Sequence, residues 1–269
     1  MKKILLVACG LLLGITGCQE KQAESSAKKQ EMLIYCGITM VKPVKELADI
    51  FSKQHNIDII INQGGSQDLY ESLRHSQKGD IYLPGSLSYR KKYLGEGLLL
   101  DTKFVGYNKA ALMVKKGNPN NIPADLNVLT SKEHRVALCN PDSGSIGNET
   151  KVILEKFGIF KEAMENAIFL GSDSRTLVKS IKDGDADVTI NWYATGFWDG
   201  NREYVDIIPL DEKHAPKKML VFNLLKSSKN PELAKAFMEF SASHEGRAVF
   251  AKYGFLDEED LKNFDKVTF

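Results

Sequence analysis

From Met32 onward, short aliphatic runs alternate with helix-length amphipathic stretches, which restricts the chain to strand–helix–strand units. Residues 32–36, MLIYC, read as a buried strand. Residues 43–54 follow with Val44, Leu47, Ala48, Ile50 and Phe51 on one helical face, and Pro43 suits a first turn. IDIIIN (57–62) is an expected strand, 67–76 a helix and DIYL (80–83) a further strand. A second block repeats the theme, with strands over 135–139, 167–171 and 187–191 and helices over 147–157 and 174–182. Between the blocks, residues 108–123 begin as a strand and end in a loop, and KKMLVFNLL (217–225) returns the chain toward the first block. Two helical stretches, PELAKAFMEFSAS and EGRAVFAKYGF, lie near the end. The expected fold class is α/β. Two lobes, each a mainly parallel sheet flanked by helices, are joined by crossing segments, with a ligand cleft between them. Lobe 1 takes residues 32–107 and is completed by about 215–269, and lobe 2 takes 108–214.

In such sheets ligands gather at the carboxyl ends of the strands. Those ends read Cys36-Gly37-Ile38-Thr39, Gln63-Gly64-Gly65-Ser66, Pro84-Gly85-Ser86, Asn140-Pro141-Asp142-Ser143-Gly144-Ser145, Gly171-Ser172-Asp173-Ser174 and Asn191-Trp192-Tyr193. All but the last carry Gly with Ser or Thr just before an expected helix. A helix start presents unpaired N–H groups and partial positive charge. Glycine admits a ligand close to the backbone, and a hydroxyl adds a donor. Any one of these loops is explained as well by ordinary N-capping. Recurring in both lobes, they point to a small anion held by neutral donors and selected by size and geometry.

The first residues carry a different signal. Lys2 and Lys3 precede an apolar run over 4–15, the length of a secretory h-region and short of a membrane span. Ile15-Thr16-Gly17-Cys18 resembles a bacterial lipobox, which implies cleavage after residue 17 and lipidation of Cys18. Residues 1–17 are thus an expected signal peptide, and 18–31 the lipidated cysteine and a polar, disordered tether. The folded part is expected to be exported and lipid-anchored at a membrane surface, periplasmic or outer. No later stretch is apolar enough to span a membrane. A formal net charge of +1, with no basic block, argues against nucleic acid as a partner.

Together these segments resemble the molybdate-binding proteins of ABC importers, which have the type II periplasmic solute-binding fold. The likeness runs from Met32 to Phe255. It is carried by INQGGSQDLYESL with GDIYLPGS, by ALMVKKGNP and ALCNPDSGSIG, by SRTLVKSIKDGDADV and by SSKNPELAKAFMEFSASHEGRAVFAKYGF. The closing stretch is the most specific to the broad family and says little about the ligand. The resemblance implies a non-catalytic protein that takes up a tetrahedral oxyanion, molybdate or tungstate first. It would act as a monomer, without a cofactor, and pass the ligand to a permease with its ATPase. Carried over by position, ligand contacts fall on the hydroxyls of Thr39 and Ser66 and on the backbone near Gly85, Ile146 and Ser174. The family's tyrosine falls on Trp192, with Tyr193 beside it. An indole N–H donates but cannot accept, so this position departs from the pattern.

Cys36 and Cys139 also depart from the family, which has small residues there. They read either as buried small hydrophobes or as cleft residues that touch a thiophilic ligand or pair with each other. Gly65 is a further cleft candidate. Arg175 reads as a cleft cation or as half of a structural salt bridge across the hinge. Tyr35 and Tyr82 read as core, and the acidic run 257–260 as the cap of a final helix. The five histidines are scattered, and no metal-site spacing is present. Other readings are a binding protein of the same fold for another small anion or thiophilic solute, a sensor subunit, or a thiol or serine enzyme. The last lacks a G-x-S-x-G elbow, although PDSGS (141–145) is superficially similar.

Overall fold

Two five-stranded sheets organise residues 29–268, the part of the chain that the computed structural model describes. The expected signal peptide, Cys18 and most of the tether lie outside these residues. The first sheet has the order β2-β1-β3-β10-β4 and the second β7-β6-β8-β5-β9. In the first, β1 (Gln30–Gly37), β2 (Ile57–Gly64) and β3 (Ile81–Leu83) alternate with α1 (Val41–His55) and α2 (Ser66–Ser76). Then α3 (Leu87–Tyr93) leads into β4 (Leu99–Asn108). Lys109 alone separates β4 from β5 (Ala110–Lys115), the first strand of the second sheet. That sheet continues through β6 (Val136–Cys139), α4 (Ser145–Phe157), α5 (Phe160–Asn166), β7 (Ala167–Gly171), α6 (Ser174–Asp183), β8 (Val188–Trp192) and β9 (Val205–Pro209). The chain returns as β10 (Lys218–Leu225), followed by α7 (Pro231–Ala242), α8 (His244–Lys252) and α9 (Glu258–Asn263).

The α/β class and the two helix-flanked sheets agree with the sequence expectation, but the sheets are mixed. In the first, β1 runs parallel to β2 and β3, while β10 is antiparallel to β3 and β4. In the second, β6 runs parallel to β7 and β8, while β5 is antiparallel to β8 and β9. The reversed strands β5 and β10 are those by which the chain enters each sheet from the other. The parallel half of each sheet comes from local strand–helix–strand units, whose periodicity is visible in the sequence.

Each lobe has its own apolar core. Met32, Ile34, Leu47, Phe51, Phe222 and Phe237 belong to the first, and Leu112, Leu138, Ile153, Leu177 and Ile190 to the second. A third cluster joins Tyr35, Tyr70, Tyr82, Tyr89 and Tyr93, with the rings of Tyr70 and Tyr93 stacked at 3.6 Å. Tyr35 and Tyr82 are core residues, as expected. Tyr82 also donates its hydroxyl to the Ser66 carbonyl at 2.7 Å, which fixes the start of α2.

Candidate functional site

A narrow, nearly closed cavity of about 10 Å³ lies between the lobes where the parallel strands end. The first lobe lines it with Gly37-Ile38-Thr39, Gly64-Gly65-Ser66 and Gly85, the second with Gly144-Ser145-Ile146 and Asp173-Ser174. The opposing walls touch. A Cβ on Gly85 would stand 2.2 Å from Ser145 Oγ, and one on Gly65 2.8 Å from the Ser143 carbonyl. Glycine at these two points is therefore a condition of the lobes meeting.

Three of the helix starts around the cavity have glycine as the N-cap. α2 and α4 have Gly65 and Gly144 as N-caps, and the 3-10 turn Ile38–Met40 that runs into α1 has Gly37. None of these three has a side-chain cap. By contrast, α7 and α8 are capped by Asn230 and Ser243. A capped helix spends its first N–H groups on its own side chain, whereas a glycine-capped one leaves them for something else. Two serine hydroxyls add donors. Ser66 Oγ accepts from the Gly85 N–H at 2.9 Å, and Ser145 Oγ accepts from Trp192 Nε1 at 3.1 Å. With each oxygen occupied as an acceptor, its own hydrogen is free to be given to a ligand.

The fourth helix start is different. Asp173 caps α6 through a capping box, and its Oδ1 accepts from the backbone of Arg175 and Thr176. Its Oδ2 accepts from the Arg175 guanidinium at 2.8 Å. The carboxylate thus enters the wall already paired. No lysine, arginine or histidine is among the lining residues.

Of the expected site residues, Thr39, Ser66, Gly85, Ile146, Ser174 and Gly65 line the cavity. The Gly85 N–H, expected to face the ligand, is spent on Ser66 instead. The remaining candidates lie outside the cavity wall. Trp192 is fully buried behind Ser145, and its indole reaches the cavity only through that hydroxyl. Tyr193 turns away to pack on Phe197 and borders a separate hollow beside Lys109 and Lys217. Arg175 pairs with Asp173, two residues before it, so its salt bridge is local and does not cross the hinge, and it lines an outer hollow with Lys179 and Trp198.

Cys36 and Cys139 are free, buried, and members of the two separate lobe cores. Burial raises the Cys36 thiol far above its ordinary value. It also raises Cys139 to about 11, an effect that nearby Ser143 and the Gly147 backbone only partly offset. Both therefore match the small-hydrophobe reading, with Cys139 supporting the 143–147 loop from behind. The hydroxyl missing from the expected contacts is that of Ser145. It was visible as the second of two Gly-Ser pairs opening a helix, Gly65-Ser66 and Gly144-Ser145.

A family model described as "Bacterial extracellular solute-binding protein" matches residues 32–256. The "Putative ABC transporter substrate-binding lipoprotein YvgL" of Bacillus subtilis is 25% identical over 260 residues, covering 95% of this chain and 98% of that protein. The molybdate-binding protein ModA of Rhodobacter capsulatus is 22% identical over 229 residues, covering 85% of this chain and 89% of its own. Among solved structures, the sulfate-binding protein SubI of Mycobacterium tuberculosis superposes with a TM-score of 0.74 at 15% identity. That match covers 88% of this chain and 91% of SubI.

Proposed function

The chain belongs to the bacterial extracellular solute-binding proteins, and from that premise we propose that it captures a tetrahedral oxyanion, molybdate or tungstate before others. The observation that carries this reading is the set of glycine-capped helix starts. They come from both lobes, are joined by the Ser66 and Ser145 hydroxyls, and surround a cavity without a cationic side chain. Such a site offers hydrogen-bond donors, while its one carboxylate, Asp173, is already spent on α6 and Arg175. A fully deprotonated dianion suits it. Phosphate and arsenate, which retain a proton near neutral pH, need an acceptor that the site does not spare. Among deprotonated dianions, size separates molybdate and tungstate from the smaller sulfate.

In this reading the ligand contacts are Thr39, Ser66, Ser145, Ile146 and Ser174, with Gly65 and Gly85 allowing close approach. Lobe 1 (32–107 with about 215–269) closes on lobe 2 (108–214) by bending at the two crossings. The loaded monomer then hands the anion to an ABC permease and its ATPase. Cys18 carries the lipid that keeps it at the membrane surface. Calorimetric titration with molybdate, tungstate, sulfate, phosphate and arsenate at one pH tests the ligand. Tight binding of the first two, with little from the rest, is expected. Silence from all five overturns the oxyanion reading.

A further inference from the structure

We propose that Lys92 is an outer-sphere cation of the cleft, drawing the anion to the mouth of the first lobe without touching it once bound. The inference rests on the oxyanion reading and deepens it. The inner cavity lacks a positive side chain, so its neutral donors act only at hydrogen-bond range and cannot gather an anion from a distance. Immediately outside it lies a wider hollow of about 430 Å³, with Gln67, Tyr89 and Lys92 on the first lobe and Asp142 and Asn148 on the second. Gln67 follows Ser66 of the inner wall, and Asp142 stands two residues before Gly144, so this hollow is the mouth of the cleft. Lys92 is the one cation among its lining residues.

Its ammonium is held in place. Lys92 Nζ donates to Gln67 Oε1 at 3.1 Å and stands 4.9 Å from the Tyr93 ring centre. The Tyr93 hydroxyl donates to the same Oε1 at 2.5 Å, which pins the amide. The charge therefore sits on the first turn of α2, the helix whose start forms the inner wall. Of the nearby carboxylates, Glu71 is paired with Arg74, and Asp68 lies on α2 itself. Asp142 belongs to the opposite rim. When the lobes part, Asp142 moves away with lobe 2 and Lys92 faces the incoming anion. When they close, Asp142 returns and balances the charge.

Two measurements test the assignment on the full chain. In the first, association and dissociation of molybdate are followed by tryptophan fluorescence for the parent, K92Q and the neighbouring surface variant K91Q. K92Q is expected to slow association about threefold or more at roughly 10 mM salt, where the Debye length is about 30 Å. The difference should vanish near 0.5 M salt, with dissociation unchanged and K91Q much weaker in effect. In the second, an N148C substitution places a thiol on the exposed opposite wall. Its reaction with the dianionic dithiobis(nitrobenzoate) is compared with that of neutral dithiodipyridine, after subtracting the parent's reactivity. K92Q should slow only the anionic reagent, and D142N should speed it. Equal effects of K92Q and K91Q, or no charge dependence at Cys-substituted 148, would overturn the role of Lys92. The thiol measurement needs no bound oxyanion, so a failure of the oxyanion reading is separable from a failure of this one.

Discussion

Trp192 Nε1 donates to Ser145 Oγ at 3.1 Å, so a fully buried indole in β8 sets the direction of a hydroxyl at the cavity wall. The pair gives a first prediction. In W192F the ring remains and the donor disappears, leaving the Ser145 hydroxyl free to turn inward and donate elsewhere. One neutral hydrogen bond is worth about 1 kcal/mol, so ligand affinity should fall roughly fivefold. S145A removes the direct contact and should cost at least as much. In the double variant the two losses should not add, because both act through one hydroxyl. Calorimetry on the four proteins measures this, and additive losses would show that Trp192 acts by a route other than Ser145.

Gly85 tests whether the closed arrangement is needed for binding. A Cβ there would lie 2.2 Å from Ser145 Oγ and 2.8 Å from Ser145 Cβ, both on the other lobe. G85A should therefore fold normally and fail to close fully. Overpacking of this kind costs about 1–3 kcal/mol, so affinity should drop by roughly 5- to 150-fold. G64A is the control, since its Cβ meets only the Leu69 side chain at an ordinary 3.6 Å. Small-angle scattering with saturating ligand should show the parent and G64A compact and G85A more open.

Much of this was legible in the sequence because the parallel half of each sheet comes from local units with clear periodicity. The helix at 43–54 appears as α1, and the strand at 167–171 as β7. The elements that escaped are edge or connecting pieces. β4 carries Asp101, Thr102 and Lys103 at its centre, which an edge strand tolerates but which breaks the alternating pattern. β9 is the other edge of this kind and ends in Pro209. β1 also starts at Gln30, inside the polar stretch read as tether. In the site, the glycine–serine helix starts were readable, but the exclusion of Trp192 and Tyr193 was not. Whether a side chain at a strand end faces the cavity or stands behind another residue depends on the partner lobe, and a single-strand pattern does not contain that.

The buried cysteines predict an inert pair. With Cys36 raised far above its ordinary value and Cys139 raised to about 11 by burial, neither offers thiolate near neutral pH. Their reaction with a thiol reagent should be slow in the native protein and unchanged by ligand, then become fast in denaturant. Protection by ligand alone would restore a cleft role for them.

The hinge carries an ion-pair network that gives a pH prediction. Lys109, between β4 and β5, and Lys217, just before β10, both contact the capping-box residues Asp257 and Asp260 of α9. The acidic run 257–260 caps the final helix, as the sequence suggests. Asp257 is the cap, while Asp260 is buried against the lysines. Burial pushes the Asp257 carboxyl up. Hydrogen bonds from Lys109, the Asp260 backbone and Lys217 outweigh this and hold it well below the usual carboxylate range. A depressed folded-state value stabilises the fold above the unfolded value of about 3.9, and the benefit fades as pH falls below it. D257N should therefore lower Tm at pH 7, with the gap to the parent narrowing by pH 3. A gap independent of pH would mean that the aspartate acts only as a helix cap.

Lys218, the next residue, points to the other side and pairs with Glu149 of α4 at 3.0 Å. Glu149 is buried on the helix whose first residues line the cavity, so this pair ties the ligand wall to the returning strand. Burial raises the Glu149 carboxyl and Lys218 only partly offsets it. The folded protein therefore holds that proton more readily than the unfolded chain. Stability contributed by the group is greatest at acid pH and declines as pH rises through the unfolded value of about 4.3 toward the raised folded one. Removing the lysine exposes this cost. K218M should destabilise by about 3–5 kcal/mol at pH 7, the penalty of an unpaired buried carboxylate, and by much less near pH 4. E149Q in the same background should recover most of the loss, since a neutral amide needs no counter-ion. Thermal unfolding of the parent, K218M and the double variant at pH 4 and 8 measures both effects. A K218M deficit equal at the two pH values would show that the lysine contributes packing and not charge compensation.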